Sequence, residues 1–446
     1  MINMNLHQVA TLTGSTLIGK ATQFRGISTD SREDCKGKLF VALSGPNFRG
    51  EDYCPQALKK GAVAVLVSHA QDNVASQLVC ENTLECLSTI AKYWAKQCKT
   101  KIVAITGSNG KTTVKNMVHS ILSVKHQCLA TEGNFNNEIG VPLTLCKLSP
   151  TVEFAVIEMG AAKLGDIEWL VSLVDIHTAV LTNTSAAHIG RFGSLENIVT
   201  EKGKIISTLK SNGFAVLPKD NDNFEKWCQS TSGKVISFGL NENSDIKIRH
   251  AESGFDLLTS NFNIIDIQLP VQGQHNEINA AAATAVALSF GISLDEIKQG
   301  LENFIPAKGR LELVGEIKGN KVINDCYNAN LQSVKAAIDV LSQYDGNTTL
   351  VFGDMAELGD ESKEMHRQVG SYAKQHHVTQ LLTVGNDSKF ASDEFSEQPL
   401  HFASKAELEK FLMSHWQSVG TVLVKGSRSM RLETVIDNLK SMEDVA

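Results

Sequence analysis

Residues 101–122 read KIVAITGSNGKTTVKNMVHSIL. An apolar run of strand length stops at a glycine turn, and an amphipathic helical pattern begins at once. A strand, tight turn and helix in that order suit a parallel sheet with helices packed on its faces. The turn aims successive backbone N–H groups at one spot, at the positive end of the helix dipole, where phosphate binds. The usual phosphate loop is G-x-x-x-x-G-K-[ST]. Here Ile105 stands where the first glycine should be, and Gly107 lies inside a shortened G-x-x-G-K-T turn. Gly107 and Gly110 permit the turn, while Ser108, Asn109 and Thr113 complete the nucleotide-binding segment. Lys111 is placed to reach β- and γ-phosphates, and the Thr112 hydroxyl to ligate Mg²⁺. The plain alternative is a glycine turn followed by an exposed lysine.

The alternation continues. FAVIEM (154–159), HTAVLT (177–182), FAVLP (214–218) and KVISF (234–238) read as strands, with helical segments at 111–124 and 195–209 between them. Shorter alternating runs over 245–269 read as a small antiparallel appendage. A Pro/Gly joint, IPAKGRLE (305–312), precedes a second α/β series at 321–325, 348–354, 380–385 and 421–426. Ahead of residue 101, KLFVAL (38–43) and AVAVLV (62–67) read as strands, with helices near 52–60 and 83–97. The chain of 446 residues is long enough for two or three domains of about 100–200 residues each. The expectation is an α/β protein of three domains: a small N-terminal one at 1–99, a central parallel-sheet phosphate-loop domain at 100–308, and a Rossmann-like C-terminal one at 309–446.

Charge narrows the functional classes. The formal net charge is -7 and no run of five Lys/Arg occurs, which argues against sequence-independent nucleic-acid binding. The nine cysteines form no C-x-x-C pair and read as small core residues in a reducing compartment. The start MINMNLHQVA lacks the pattern of an export signal. The apolar stretch 278–292 is shorter than the ~20 residues that cross a bilayer, and suits a buried helix. The expected location is the cytoplasm, without membrane insertion.

A phosphate loop needs a further oxygen ligand for its metal. Glu158 ends a very apolar strand, where a carboxylate is costly unless paired or metal-bound. A solvated strand-end glutamate is the alternative. His188 follows the next strand, where a lone histidine reads more often as a surface or capping residue than as a ligand. Lys202 reads as an ordinary lysine of an amphipathic helix.

GSNGKTT (107–113), GNFNNEIGVPLTL (133–145), EMGA (158–161), NTSAAHIGRFGS (183–194), EKGKI (201–205), GQHNEINAAAA (273–283) and the GR of PAKGRLE together resemble the Mur ligases, ATP-dependent amide-forming enzymes of peptidoglycan synthesis. The shortened loop is similar to that superfamily's own version. TDSR (29–32), NDCYNANLQS (324–333) and VFGDMAELG (351–359) resemble the member acting at the last cytoplasmic step, with Leu331 in place of a proline and RGEDYCPQAL (49–58) in place of a D-G-H-x-F run. The resemblance implies UDP-N-acetylmuramoyl-tripeptide and D-alanyl-D-alanine as the substrates joined, at the expense of ATP and through an acyl phosphate. Oligomeric state stays open, with a monomer the expectation for a self-contained three-domain enzyme. It implies two Mg²⁺ ions, one held by Thr112 and Glu158, the other by His188 and a carbamylated Lys202. It places Lys111 on the ATP phosphates, Asn137 near the γ-phosphate, and Asn276 and Asn279 at the adenine. Arg310, Asp325 and Asn328 would close over ribose and phosphates, with Lys425 and Arg428 nearby. Ser31 and Arg32 would hold the uridine-diphosphate end. Another amino-acid ligase of the superfamily, adding diaminopimelate or lysine or extending folate with glutamate, is the nearest alternative. A regulatory or transport phosphate-loop ATPase is a more distant one.

Overall fold

A computed structural model describes residues 1–72, 74–185, 189–251 and 254–441. His188 lies outside the described residues.

The central sheet has nine strands, and its middle three explain the site. Ile176–Leu181, Lys101–Thr106 and Phe154–Glu158 lie side by side and run parallel. Their C-terminal ends therefore place Thr182, Gly107 and Glu158 in a row at one edge. Ile102 and Ala104 face one apolar core, and Val103 and Ile105 face the other, as the two-residue period of a strand demands. The Ala-rich segment forms the helix Gln274–Ser289, whose small side chains let it pack closely on the phosphate-loop helix Lys111–Ser123. The 245–269 segment is not a separate appendage. Ile246–His250 pairs parallel with Lys234–Gly239, and Phe255–Leu258 and Asn263–Ile267 then extend the same sheet antiparallel.

The C-terminal sheet has six strands. Asn320–Asp325, Thr421–Lys425 and Thr348–Gly353 are neighbours in its middle, so Asp325 and Lys425 stand opposite each other at strand ends. Two edge strands were not legible in the sequence: Glu312–Ile317, paired antiparallel, and Leu400–Phe402. The helix Leu331–Leu341 starts at Asn330, whose side chain accepts from the Ser333 N–H while the Ser333 hydroxyl takes the Asn330 N–H. That capping box fixes the first turn without the family's proline.

The N-terminal region holds a five-stranded sheet and a two-stranded ribbon. Most of its strands are short and half polar, and only Leu39–Val41 and Ala64–Val67 match the strands expected there. This region and the central sheet share one core. Ile2, Leu6, Leu39 and Leu87 pack in the same apolar cluster as Ile102, Val141, Leu145 and Ala155. The Trp94 indole N–H donates to the Leu148 carbonyl at 2.9 Å, and the Ile2 N–H to Cys146 at 2.8 Å. The two C-terminal cores are separate from it.

Candidate active site

A cleft of about 1530 Å³ opens where the three sheets meet. The phosphate loop forms its floor. Gly110 takes φ 81°, and a Cβ there would lie 2.5 Å from the Asn279 amide oxygen. A Cβ on Gly107 would lie 1.9 Å from the Thr182 hydroxyl. Both positions therefore demand glycine. The loop is tied to the neighbouring strand end. The Asn109 N–H donates to the Asn183 side chain at 2.9 Å, Thr182 Oγ1 donates to the Asn109 carbonyl at 2.6 Å, and the Ser185 N–H donates to Ser108 Oγ at 3.0 Å.

Two lysines converge on one carbonyl. Lys111 Nζ lies 2.8 Å and Lys202 Nζ 3.1 Å from the Gly107 oxygen. Lys202 is 2% exposed, and burial together with the Lys111 charge pulls its pKa down to about 7. Burial also lowers the Lys111 ammonium, against the nearby Glu158 carboxylate. Burial and the cationic neighbour both shift Lys202 towards its neutral amine.

Glu158 is 2% exposed, and both of its oxygens accept a hydrogen bond. Thr112 Oγ1 donates to one at 2.9 Å, and the Asn136 amide to the other at 2.8 Å. Asn136 carries no signal in the sequence, where the family motif points to its neighbour Asn137. Asn137 lines the cleft, but its side-chain oxygen accepts from the Gly140 N–H at 2.9 Å and so orders the start of the helix Gly140–Cys146. In an N-N doublet nothing but the fold decides which amide faces the carboxylate. Lys115 is likewise silent in the sequence. It is 4% exposed and donates to the Thr131 carbonyl at 2.7 Å, while the Thr131 hydroxyl accepts the Glu158 N–H.

The C-terminal sheet closes the far wall. Arg310 donates to Thr112 Oγ1 at 3.2 Å and stacks its guanidinium 4.1 Å from the Tyr327 ring centre. Lys425 is buried between the Asp325 carboxylate at 2.5 Å and the Asn328 carbonyl at 3.0 Å. Asn276 and Asn279 are nearly buried on the cleft side of their helix, with Thr113 and His275 also in the lining. Arg428 does not line the cleft and pairs with Glu433 at 2.9 Å.

Ser31 and Arg32 are not brought to this cleft. Ser31 is 5% exposed and donates to the Gln56 side chain at 2.9 Å. Arg32 pairs with Asp30 at 2.6 Å and holds that carboxyl down to about 2. The N-terminal region reaches the cleft instead through Asn82, Leu84 and Glu85, at the start of the helix Thr83–Cys98.

Oxygen ligands suit a hard cation such as Mg²⁺, which needs only one or two protein carboxylates when phosphates supply the rest. Glu158 and Thr112 meet that description. Among the described residues no group of three or more His, Cys, Asp and Glu stands ready to cage a metal.

Comparison with known proteins gives the arrangement a lineage. Residues 105–287 match the Mur ligase middle domain, 309–428 the Mur ligase glutamate ligase domain, and 23–93 the Mur ligase family catalytic domain. A UDP-N-acetylmuramoyl-tripeptide–D-alanyl-D-alanine ligase of Escherichia coli (strain K12) is 41% identical, with 99% of each chain covered. The chain belongs to the Mur ligase family. The protein so named in Bacillus subtilis (strain 168) is 32% identical over 98% of this chain and 99% of its own. A crystal structure of MurF from Acinetobacter baumannii superposes with a TM-score of 0.93 at 33% identity, covering 98% of this chain and 99% of that one. Within this Mur ligase the phosphate loop, Glu158 and Lys202 meet at one end of the cleft, and the Ser31 and Arg32 pair lies apart from it.

Proposed function

We propose that this chain joins D-alanyl-D-alanine to UDP-N-acetylmuramoyl-tripeptide at the expense of ATP, releasing ADP, phosphate and the UDP-linked pentapeptide. The observation that carries the reading is the single cleft to which a phosphate loop, a buried carboxylate and a C-terminal Arg/Asp/Lys group all contribute. A MurF structure from Thermotoga maritima, 27% identical with a TM-score of 0.83, is described in complex with ADP. ATP is the corresponding substrate here, its phosphates on residues 107–113 and its adenine beside Asn276 and Asn279.

The substrate carboxylate attacks the γ-phosphate and becomes an acyl phosphate. The dipeptide amine then attacks the carbonyl, and phosphate leaves. Lys111 stabilises negative charge on the transferring group, and Arg310 reaches it from the far wall. Thr112 and Glu158 would hold one Mg²⁺, and Lys202 with His188 a second. Bound Mg²⁺ supplies charge neutralisation on the phosphates. A protonated Lys202 repels a cation. Its neutral amine adds to carbon dioxide, losing a proton, and the carbamate so formed is an anionic oxygen donor. Asn137 stands at the γ-phosphate end, and Asp325 and Asn328 at the ribose. Ser31 and Arg32 take the uridine diphosphate on the N-terminal surface.

The domains divide near residues 99 and 308, and the joint at 305–309 is the hinge over which the C-terminal one closes to exclude water. The enzyme works as a monomer in the cytoplasm. No helix among the described residues is long and apolar enough to cross a membrane.

Phosphate release from ATP and Mg²⁺ tests the reading. It should require both the UDP-tripeptide and D-alanyl-D-alanine, and mass spectrometry should find the UDP-pentapeptide. Turnover with a single amino acid and a shorter precursor would overturn the substrate assignment. Equal hydrolysis without any acceptor would overturn the ligase reading.

A further inference from the structure

The helix Leu195–Ser207 carries Lys202 to the cleft floor, but the residue before Lys202 faces elsewhere. Glu201 is 2% exposed. One of its oxygens accepts the Gly165 N–H at 2.9 Å, and the other accepts the Ile167 N–H at 2.7 Å. Gly165 ends the loop that leaves Glu158 and becomes the cleft's side wall from Gly160 onwards, and Ile167 lies in the first turn of the helix Asp166–Val171 that follows. The same loop is fastened at its middle by Asp166, whose Oδ2 accepts from the Ala162 N–H at 2.8 Å and the Lys163 N–H at 3.0 Å. Two carboxylates thus take four backbone N–H groups of one short segment. Charged acceptors make the stronger hydrogen bonds, and a loop held by four of them has one shape.

That shape faces an apolar passage. Leu164 is 54% exposed and Leu195 47%, and both line the cleft with Trp169 and with Leu84 of the N-terminal region. The same cleft lining also holds Asn82 and Glu85 of the N-terminal region and Ser108–Lys111 of the phosphate loop. On the function proposed above, a substrate whose nucleotide is held on the N-terminal domain would bring its carboxylate to the γ-phosphate along this lining.

We propose that Glu201 is a positioning residue for the UDP-linked substrate. It locks the 160–167 wall to the Lys202 helix, so that the passage and the phosphoryl-transfer site keep a fixed separation. This rests on the function proposed above. It assigns the wall to the peptide-bearing substrate and not to ATP.

The test is steady-state kinetics of the full chain, with UDP-tripeptide and ATP varied separately. Glu201→Gln keeps one accepting oxygen and turns an amide donor towards the other N–H. Losing a hydrogen bond to a charged acceptor should raise the KM for UDP-tripeptide about tenfold, with the KM for ATP held within about twofold. Amide hydrogen exchange at Gly165 and Ile167 should quicken in the same variant. Asp166→Asn, which loosens the wall without touching the Lys202 helix, should show the same split and carries the test if Glu201→Gln does not fold. Unchanged KM values in an active enzyme overturn the positioning role alone. So does a parallel rise for ATP, which would mean that Glu201 acts through Lys202. A wild-type enzyme inert towards UDP-tripeptide sinks the functional reading, and this role with it.

Discussion

The central sheet meets its two neighbours in opposite ways. Towards the N-terminal region the seam is apolar and continuous, with Leu87 and Ile90 in the same core as Leu145 and Leu148. Towards the C-terminal sheet the seam is polar. Asn330 and Asn109 join by their amides at 2.7 Å, Arg310 reaches Thr112, Arg191 pairs with Glu357 at 2.5 Å, and Asn116 donates to the Ile305 carbonyl of the joint. Ile189 is the apolar side chain of the described central residues that packs against the C-terminal core, and Gly273 lies close to Val340. An apolar seam is costly to open in water, whereas polar groups exchange their partners for water at little net cost. The first two regions should therefore behave as one body, and the third should be the one that moves.

The largest effect should fall where both seams converge. Glu158→Gln keeps the volume but removes the charge that Thr112 and Asn136 address. Turnover should drop about a thousandfold, with an unchanged melting temperature. A variant that keeps a tenth of the wild-type rate would remove Glu158 from the chemistry. On the polar seam, Arg310→Ala should lower kcat about a hundredfold and leave thermal stability nearly unchanged, because water can replace its hydrogen bond to Thr112. A loss of stability without loss of rate would make Arg310 a structural strut. On the apolar seam the signs reverse. Leu145→Ala should cost about 2–5 kcal/mol of stability by opening a cavity in the shared core. The N-terminal and central regions should then melt earlier but still together, and kcat per folded molecule should hold. Two separate transitions for these regions would break the comparison.

What the sequence revealed follows the same division. The strong apolar runs of the central and C-terminal sheets were legible, because strands buried on both faces read as unbroken Val/Ile/Leu stretches. KIVAIT and FAVIEM also marked the strand ends that reach the cleft. The N-terminal ribbon and edge strands were not legible, since strands such as Thr16–Gly19 are short and mostly exposed. The site was legible where a residue type is demanded by local geometry, as at Gly107, Lys111 and Thr112. It was opaque where a choice among polar neighbours is made by distant packing. Lys115 carries no local signal, and Asn136, Asn330 and Glu201 had none beyond their places in family motifs. Lys202 looked ordinary because its lowered pKa comes from burial and from Lys111, neither of which a linear pattern displays.

The smallest effect separates the two bodies by pH. His366 is fully buried in the C-terminal core. Its Nε2 accepts the Met355 N–H at 3.0 Å and its Nδ1 lies 2.6 Å from the Ser362 carbonyl, so the neutral ring with hydrogen on Nδ1 satisfies both. Burial lowers its pKa from 6.5, with the Ser362 carbonyl, Asp354 and Asp387 opposing. A base whose folded pKa is depressed adds stability that is complete above the unfolded value, near 6.5, and is lost as pH falls towards the folded one. The C-terminal transition should therefore soften as pH drops below about 6.5, each tenfold difference in proton affinity between the unfolded and folded chains being worth about 1.4 kcal/mol. The joint N-terminal and central transition has no share in this group. His366→Gln should lower the C-terminal melting temperature at pH 7.5 and flatten its slope with pH, while the other transition stays where it was. The joint transition softens in acid on its own account, because burial lowers His119 and His177 and takes His275 down to about 4. If His366→Gln also changes the pH slope of that joint transition, the C-terminal sheet is coupled to the rest more tightly than its polar seam implies.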